Sequence, residues 1–288
     1  MSKIYSAIVG KNIRVYLGDT TELVKEAVEI HKTSPISTEA FSRTLTATSL
    51  LGKLLKNEKD VLTLKVGGTN QIKTILATTD FTGRVKGYIS NTDAEIPYLS
   101  GTDRIGDAIG KGGNITIIRD FGLKEPYVGI SHMISAEIDE DIAFYYKNSE
   151  QQPTVLKLGT IIEDGVVCAG GILIQPMPDA TDSEKEAFDK AGEAISDVVE
   201  KLQQGLTAEE IIKSYFDLEV KMTGEFDVAF KCDCSEERIT KALISVGPEE
   251  LKEIIAVDQK AELKCHFCNK EYHFDKEALE NMVKALES

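Results

Sequence analysis

Four of the chain's five cysteines lie in two close pairs: Cys232 and Cys234 in "FKCDCSEERI", and Cys265 and Cys268 in "LKCHFCNKEYHF". The pattern is C-x-C, an interval of 30 residues (235–264), then C-x-x-C. Paired thiols can be permanent disulfides, a catalytic dithiol, a metal cage, or a device that moves between these states. Four thiolates complete a tetrahedral shell for Zn²⁺. C-x-x-C beside a turn is a common half-site, and Asn269–Lys270 is the expected turn. The C-x-C half is less common in structural zinc ribbons, which makes the pattern specific. His266 and His273 offer nitrogen within reach, but a complete four-cysteine set leaves them no place in the shell.

Thiolates remain nucleophilic, and oxidants attack the thiolate form. Cysteines two and three positions apart could collapse into disulfides, and a disulfide sulfur is a poor zinc ligand. Spacing alone leaves a purely structural zinc module and a redox switch equally open. A thiol–disulfide oxidoreductase using Cys265 and Cys268 is a third reading. That motif usually sits at a helix N-terminus near a βαβ pattern, whereas here the setting is strand and turn.

The segment carrying these cysteines is expected to be a small domain, residues 231–288, with helices "SEERITKALISV" and "PEELKEIIAV". So short a segment buries little apolar surface and often needs a metal or another staple. Upstream, residues 1–178 read as an α+β core. "NIRVYLG" is a strand, Asp19 or Thr20 can cap the helix "TELVKEAVEIHK", and "STEAFSRTLTATSLLGKLLKN" is a second helix. "VLTLKVGG", "IKTILATTD" and "GRVKGYISN" read as an antiparallel meander. "GNITIIRDFG" and "YVGISHMISAEI" follow as strands, then the helix "DEDIAFYYKNSE". Asp164–Gly165 marks a hairpin within "VLKLGTIIEDGVVCAGGILIQ". Strands in runs with helices before and after favour α+β over a parallel doubly wound sheet.

Residues 179–230 form an expected acidic helical linker. Thr181, Asp182 or Ser183 can cap a helix through "EKEAFDKAGEAISDVVEKLQQG", with Phe188, Ala191, Ile195, Val198 and Leu202 as an ordinary buried face. A second helix, "TAEEIIKSYF", is expected to stop near Gly224. Charge follows the same divisions: net −2 over 1–178, −9 over 179–230 and −4 over 231–288, within a total of −15. Phosphate backbones are bound through a Lys and Arg surplus, so nucleic acid is not an expected partner. No apolar stretch is long enough to cross a bilayer, and "MSKIYSAIVGKNIRVYLG" lacks the apolar run of a secretory signal. A cytoplasmic protein with no membrane partner is therefore expected, in a compartment where thiols stay reduced.

Other chemistry-bearing residues carry bland readings. Cys168, in "GVVCAGGI", reads as an inert core residue. "GDAIGKGGN" is one residue too short for a phosphate loop and has no Ser or Thr after Lys111, so it reads as a turn. Gly67–Gly68 and Gly170–Gly171 read as turns, bulges or close packing. Around His31 and His132 the sequence shows no Ser, Cys or carboxylate constellation, and no catalytic residue is assigned.

At the cysteine segments the chain resembles the redox-regulated heat-shock protein 33 family of bacterial chaperones, the 33 kDa chaperonins. "FKCDCSEERITKALISVGPEELKEII" is followed at the family interval by "ELKCHFCNKEYHF". Upstream, "GKLLK" (52–56), "GRVKGYI" (83–89), "KEPYVG" (124–129), "SEQQPT" (149–154) and "AGGILIQPMP" (169–178) are similar to family segments in the same order. Lys86 stands where Arg is usual and Ala136 where Gly is usual. The resemblance implies an ATP-independent holdase and no enzyme. In the reduced, inactive state Cys232, Cys234, Cys265 and Cys268 would bind one Zn²⁺. Oxidation would form Cys232–Cys234 and Cys265–Cys268 bridges, unfold the C-terminal domain and destabilise the linker. A homodimer exposing apolar surface to unfolding client proteins would result.

Overall fold

The computed structural model describes residues 1–95 and 105–287. Chain contacts divide it into two compact units, Met1–Lys231 and Cys232–Ser288. The larger unit opens with the hairpin β1 (Ser2–Val9) and β2 (Ile13–Asp19), then α1 (Thr21–His31) and α2 (Pro35–Gly52). The meander β3 (Val61–Gly67), β4 (Thr74–Asp80) and β5 (Arg84–Ile89) follows, then α3 (Ile105–Ile109) and the pair β6 (Asn114–Asp120) and β7 (Tyr127–His132). Next come α4 (Asp139–Asn148) and the hairpin β8 (Val155–Glu163) and β9 (Gly165–Pro176). Three short helices, α5 (Asp182–Ala194), α6 (Val198–Gln203) and α7 (Ala208–Lys213), lead into β10 (Val220–Phe230). The smaller unit contains α8 (Glu236–Ile244), α9 (Pro248–Val257), β11 (Lys260–Lys264), β12 (Glu271–Asp275) and α10 (Lys276–Glu287).

Among the described residues, ten strands of the larger unit form one sheet in the order β7-β6-β3-β4-β5-β10-β1-β2-β9-β8. Every pairing is antiparallel except β10 with β5, a parallel contact of two register pairs, Ala229↔Arg84 and Phe230↔Val85. The sheet is thus two five-stranded antiparallel halves meeting at a short joint, the α+β arrangement expected of strands in runs. Helix α2 packs against β2, β8 and β9 of one half and β3, β4 and β5 of the other. Fourteen of its 18 residues are buried, so it is a central helix rather than an amphipathic surface one. Three of its buried hydroxyls are satisfied locally: Thr44, Thr48 and Ser49 donate to the carbonyls of Ala40, Thr44 and Leu45 at 2.9, 2.7 and 2.8 Å.

Strand β9 shows why a run as apolar as "GVVCAGGILI" is a strand. Ala169 and Leu173 face the α2 core, while Ile172 and Ile174 face a second core with Ile13, Val15 and Leu17 of β2. Both faces are covered, so alternation disappears from the sequence. Gly170 and Gly171 fit this packing: a Cβ would meet the Gly18 carbonyl at 2.5 Å and the Lys157 carbonyl at 2.6 Å. Cys168 is buried on this strand, and burial raises its thiol pKa.

The second core is closed by the acidic section. Thr181 caps α5 through a capping box with Glu184, as its position allows. Phe188, Ala191, Ile195 and Val198 are buried against the sheet, and Leu202 packs beside them. The expected single helix over 184–205 is corrected to two. The backbone leaves the helix at Ile195 (φ −75°, ψ 109°), and Asp197 accepts hydrogen bonds from Tyr215 at 2.7 Å and Lys201 at 3.2 Å. The break turns the chain so that α6 lies on β8 and β9. The helix expected to run on toward Gly224 ends at Lys213 instead. Residues 220–230 are strand β10, which pairs with β1 from Ser2↔Val228 to Val9↔Val220. Its period-two pattern (Val220, Met222, Phe226, Val228, Phe230) explains the difference.

Two smaller differences concern loops. "GDAIGKGGN" begins as the single helical turn α3 before the turn at Gly110 (φ 87°). Strand β7 stops at His132, so "MISAEI" is not strand. There the fully buried Ala136 has φ 64°, the left-handed region in which Gly would be unstrained. His31 is buried edge-on against Phe41 and Phe230, with ring centroids 5.2 and 6.3 Å away, a packing role.

Candidate metal centre

In the smaller unit β11 and β12 pair in register from Lys260↔Asp275 to Lys264↔Glu271. The turn between them is a tight knuckle. Cys265 N donates to the Lys270 carbonyl at 2.9 Å, and Asn269 N donates to the Cys265 carbonyl at 2.8 Å. Asn269 takes the left-handed conformation (φ 57°) that Asn tolerates better than most residues. This fold of the backbone presents Cys265 and Cys268 on the same side, which is what the C-x-x-C spacing with Asn269–Lys270 as the turn predicts.

The C-x-C half lies in the irregular segment between β10 and α8. Ser235 caps α8 by accepting from Arg238 N at 3.3 Å, and Arg238 forms an ion pair with Asp233. These contacts fix the residues between and after Cys232 and Cys234. The two halves meet: Cys232 Sγ is 3.7 Å from Cys265 Sγ, and Cys234 Sγ is 3.3 Å from Cys268 Sγ. All four sulfurs lie within 4.8 Å of one another. Zn–S bonds of ~2.3 Å in a tetrahedron place sulfurs about 3.8 Å apart, so this donor set fits a single tetrahedral thiolate-binding ion. Four cysteines this close can hold a metal ion. The cluster consists of the cysteines alone among the described residues; His266 and His273 are on exposed positions outside it.

Crowding also shapes the acidity of the thiols. Burial pushes Cys232 and Cys268 upward. Burial opposes ionisation of Cys234 too, yet the Tyr272 hydroxyl and the neighbouring thiols bring it down to about 7. Sulfurs packed together cannot all ionise without a compensating cation, so protons are shared unevenly among them. A divalent ion reverses this, because a coordinated thiol is deprotonated outright.

Tyr272 is a site residue that the motif did not disclose. It lies on β12, donates from its hydroxyl to Cys234 Sγ at 3.1 Å, and has Lys270 Nζ 5.1 Å from its ring centroid. The signal was available only as alternation: Tyr272 and Phe274 face one way on β12, into the core formed with Leu243, Leu251, Leu279, Met282 and Val283. Cys265 belongs to that core as well. The sulfur cluster and the apolar cluster therefore share a wall.

Comparisons with known proteins agree along nearly the whole chain. The family model described as Hsp33 protein matches residues 3–275. A 33 kDa chaperonin of Alkaliphilus metalliredigens is 38% identical over 284 residues, covering 97% of each chain. One from Clostridioides difficile is 39% identical over 277 residues, covering 95% of each. The crystal structure of the Thermotoga maritima 33 kDa chaperonin, a heat shock protein 33 homolog, superposes with a TM-score of 0.88 at 29% identity, covering 99% of this chain and 98% of that one. With relatives of this extent and a matching fold around the four-sulfur cluster, the chain belongs to the Hsp33 family.

Proposed function

We propose that this protein is an oxidation-activated, ATP-independent holdase of the cytoplasm whose off state is held by Zn²⁺ on Cys232, Cys234, Cys265 and Cys268. The observation that carries the reading is the convergence of four sulfurs within 4.8 Å in a unit whose apolar core is too small to be self-sufficient. Bound zinc would keep all four sulfurs as thiolates and staple the knuckle to the C-x-C segment.

Oxidation acts on these sulfurs directly. A thiolate attacks peroxide, giving a sulfenic acid and hydroxide; a neighbouring thiolate then attacks the sulfenic sulfur and expels a second hydroxide, so each bridge gives up two electrons to one peroxide, which takes two protons from solvent and leaves as two waters. The nearest sulfur pairs in the folded site cross between the halves. The bridges proposed from family resemblance are Cys232–Cys234 and Cys265–Cys268. These cysteines are two and three positions apart in the chain, so such bridges can form once the segment loosens. A bridged sulfur is a poor donor, so the shell is dismantled and the small unit loses its staple.

In the proposed active state the loss of order extends into residues 179–230, the acidic helical linker between a core at 1–178 and the switch domain at 231–288. Phe188, Ile195, Val198 and their partners on β2 and β9 would then become available to unfolding clients, with a homodimer as the active form. Cys265 and Cys268 sit in a hairpin turn rather than at a helix N-terminus, which supports a sensor over an oxidoreductase. The test follows zinc content, free thiols and suppression of thermal aggregation of an unrelated protein in parallel, before and after peroxide. Full aggregation suppression with thiols reduced and zinc retained would sink the switch and leave a constitutive zinc-stabilised module.

A further inference from the structure

The larger unit contains a cavity of about 410 Å³ where the two sheet halves approach each other. One half contributes Arg14 of β2 and Gln175 of β9; the other contributes Leu62 of β3 and Arg119 of β6. Tyr146 of α4 and the turn after α2 complete the wall. The chain carries 48 acids against 33 bases, yet this wall is rich in donors.

Arg14 is half-buried, and its Nε and Nη2 both donate to Gln175 Oε1, at 3.0 and 2.5 Å. Gln175 is only 1% exposed, and its own amide donates to Thr154 Oγ1 at 2.8 Å. A sealed neutral amide therefore fixes the guanidinium, and no carboxylate of the described residues pairs with it. Arg119 donates to Glu150 at 3.3 Å and to the Tyr146 hydroxyl at 3.4 Å, and its guanidinium lies near the Tyr127 and Tyr146 rings. The Tyr146 hydroxyl accepts from Arg119, and its own proton has no acceptor among the described residues.

The two acids of the wall are already engaged. Glu150 takes Arg119 and the Tyr145 hydroxyl, the latter at 2.5 Å. Asp60 accepts from Lys56 N at 3.1 Å, from Asn57 N at 3.0 Å and from the Asn57 amide. The exposed Lys56 also lines the cavity and has no ion pair among the described residues. What remains is a guanidinium fork, a phenol proton and an ammonium group with spare donor capacity, beside the apolar surface of Leu54, Leu62 and Phe121. Planar guanidinium donors match the oxygens of a carboxylate or phosphate in pairs, and the volume is that of a small-molecule site.

We propose that this cavity binds a small organic oxyanion, a carboxylate or phosphate ester, with its charged end on Arg14 and its body against Leu62 and Phe121. Such a ligand touches both halves of the sheet and stabilises the larger unit by mass action. The site is independent of the cysteines.

The experiment is a calorimetric titration of the full-length, zinc-loaded, reduced protein with sodium phosphate and, separately, sodium succinate, at ionic strength matched with NaCl. Saturable binding of at least one probe is expected. Preference for phosphate points to phosphate esters, and preference for succinate to carboxylates. Arg14→Gln weakens binding by about tenfold or more, as loss of a charge-assisted pair does; Arg14→Lys keeps charge but loses the fork and falls between. Lys56→Gln, on an exposed side chain, weakens binding less. Absence of saturable binding of both probes overturns the proposal, as does wild-type affinity in a folded Arg14→Gln. If Arg14→Gln does not fold, wild-type affinity in both Arg14→Lys and Lys56→Gln overturns it instead.

Discussion

The two units solve the same problem with different means. Around α2 the larger unit seals Phe41, Leu45, Leu50, Leu51 and Leu64 completely, and a second core lies across the sheet. Among the described residues the smaller unit buries eight apolar ones, one of them Cys265, and only Leu251 and Leu279 of these are sealed completely. Apolar burial of the first kind stabilises a fold whatever its redox state. Under the proposed function a unit of the second kind would be poised, with its remaining stability resting on metal-bound sulfurs that oxidation removes as ligands. A chain that needs one part to persist while another gives way can be built from this inequality.

The largest expected effect breaks the comparison at its weaker side. Chelating zinc from the reduced, loaded protein removes on the order of 10–16 kcal/mol of folding free energy from a site of this class. Hydrogen exchange should show α8, α9, β11, β12 and α10 losing protection while β1–β9 keep theirs. Protection retained in the small unit after chelation would mean that its apolar core suffices and that the inequality is wrong. At the stronger side, Phe41→Ala should cost about 3–5 kcal/mol in the larger unit, read as a lowered melting temperature. Zinc stoichiometry should not change. A loss of zinc in that variant would show that the two units do not fail separately.

The boundary of the comparison is the acidic section, which is held to the sheet at a definable point. Glu184 accepts from Lys11 N at 2.7 Å, Asn12 N at 3.0 Å, the Asn12 amide at 3.1 Å and Thr181 N at 2.8 Å. These bonds, the Thr181 amide first, hold its carboxyl down to about 2, well below the ordinary 4.5. A depressed carboxyl binds its proton more readily in the unfolded chain. Its contribution is therefore fully present above pH 4.5 and is lost as pH falls toward 2. The melting temperature of the larger unit should drop across that window, and Glu184→Gln should both lower it at neutral pH and flatten the acid slope. An unchanged slope would show that the latch from α5 to the β1–β2 turn contributes nothing.

The sequence was most legible where chemistry and geometry coincide. The cysteine pairs, the Asn269–Lys270 turn and the cap at Thr181 follow from local rules of spacing and hydrogen bonding. The meander and the Asp164–Gly165 hairpin were visible because strand pattern and turn residues agree. Strand β10 carries a period-two pattern within an acidic section, but its partner β1 lies at the other end of the chain, so the pairing itself leaves no local mark. The break at Ile195–Asp197 is likewise tertiary: it exists because the sheet surface beneath α6 rewards a change of direction. Tyr272 needed the fold, since only the meeting of β12 with the C-x-C segment brings its hydroxyl to sulfur.

That hydroxyl gives the smallest predicted effect and the sharpest view of how the weaker unit is tuned. A hydrogen bond to a thiolate withdraws electron density that would otherwise attack an oxidant, while the ring of Tyr272 is needed for packing. Tyr272→Phe removes the first and keeps the second. Stability should fall only modestly, by the net worth of a single hydrogen bond. Thiol loss in the zinc-loaded protein should quicken a few-fold under the same peroxide, followed by free-thiol titration against time. If the rate is unchanged while stability falls, Tyr272 serves the fold alone, and the sensitivity of the switch is set by the four sulfurs and their burial.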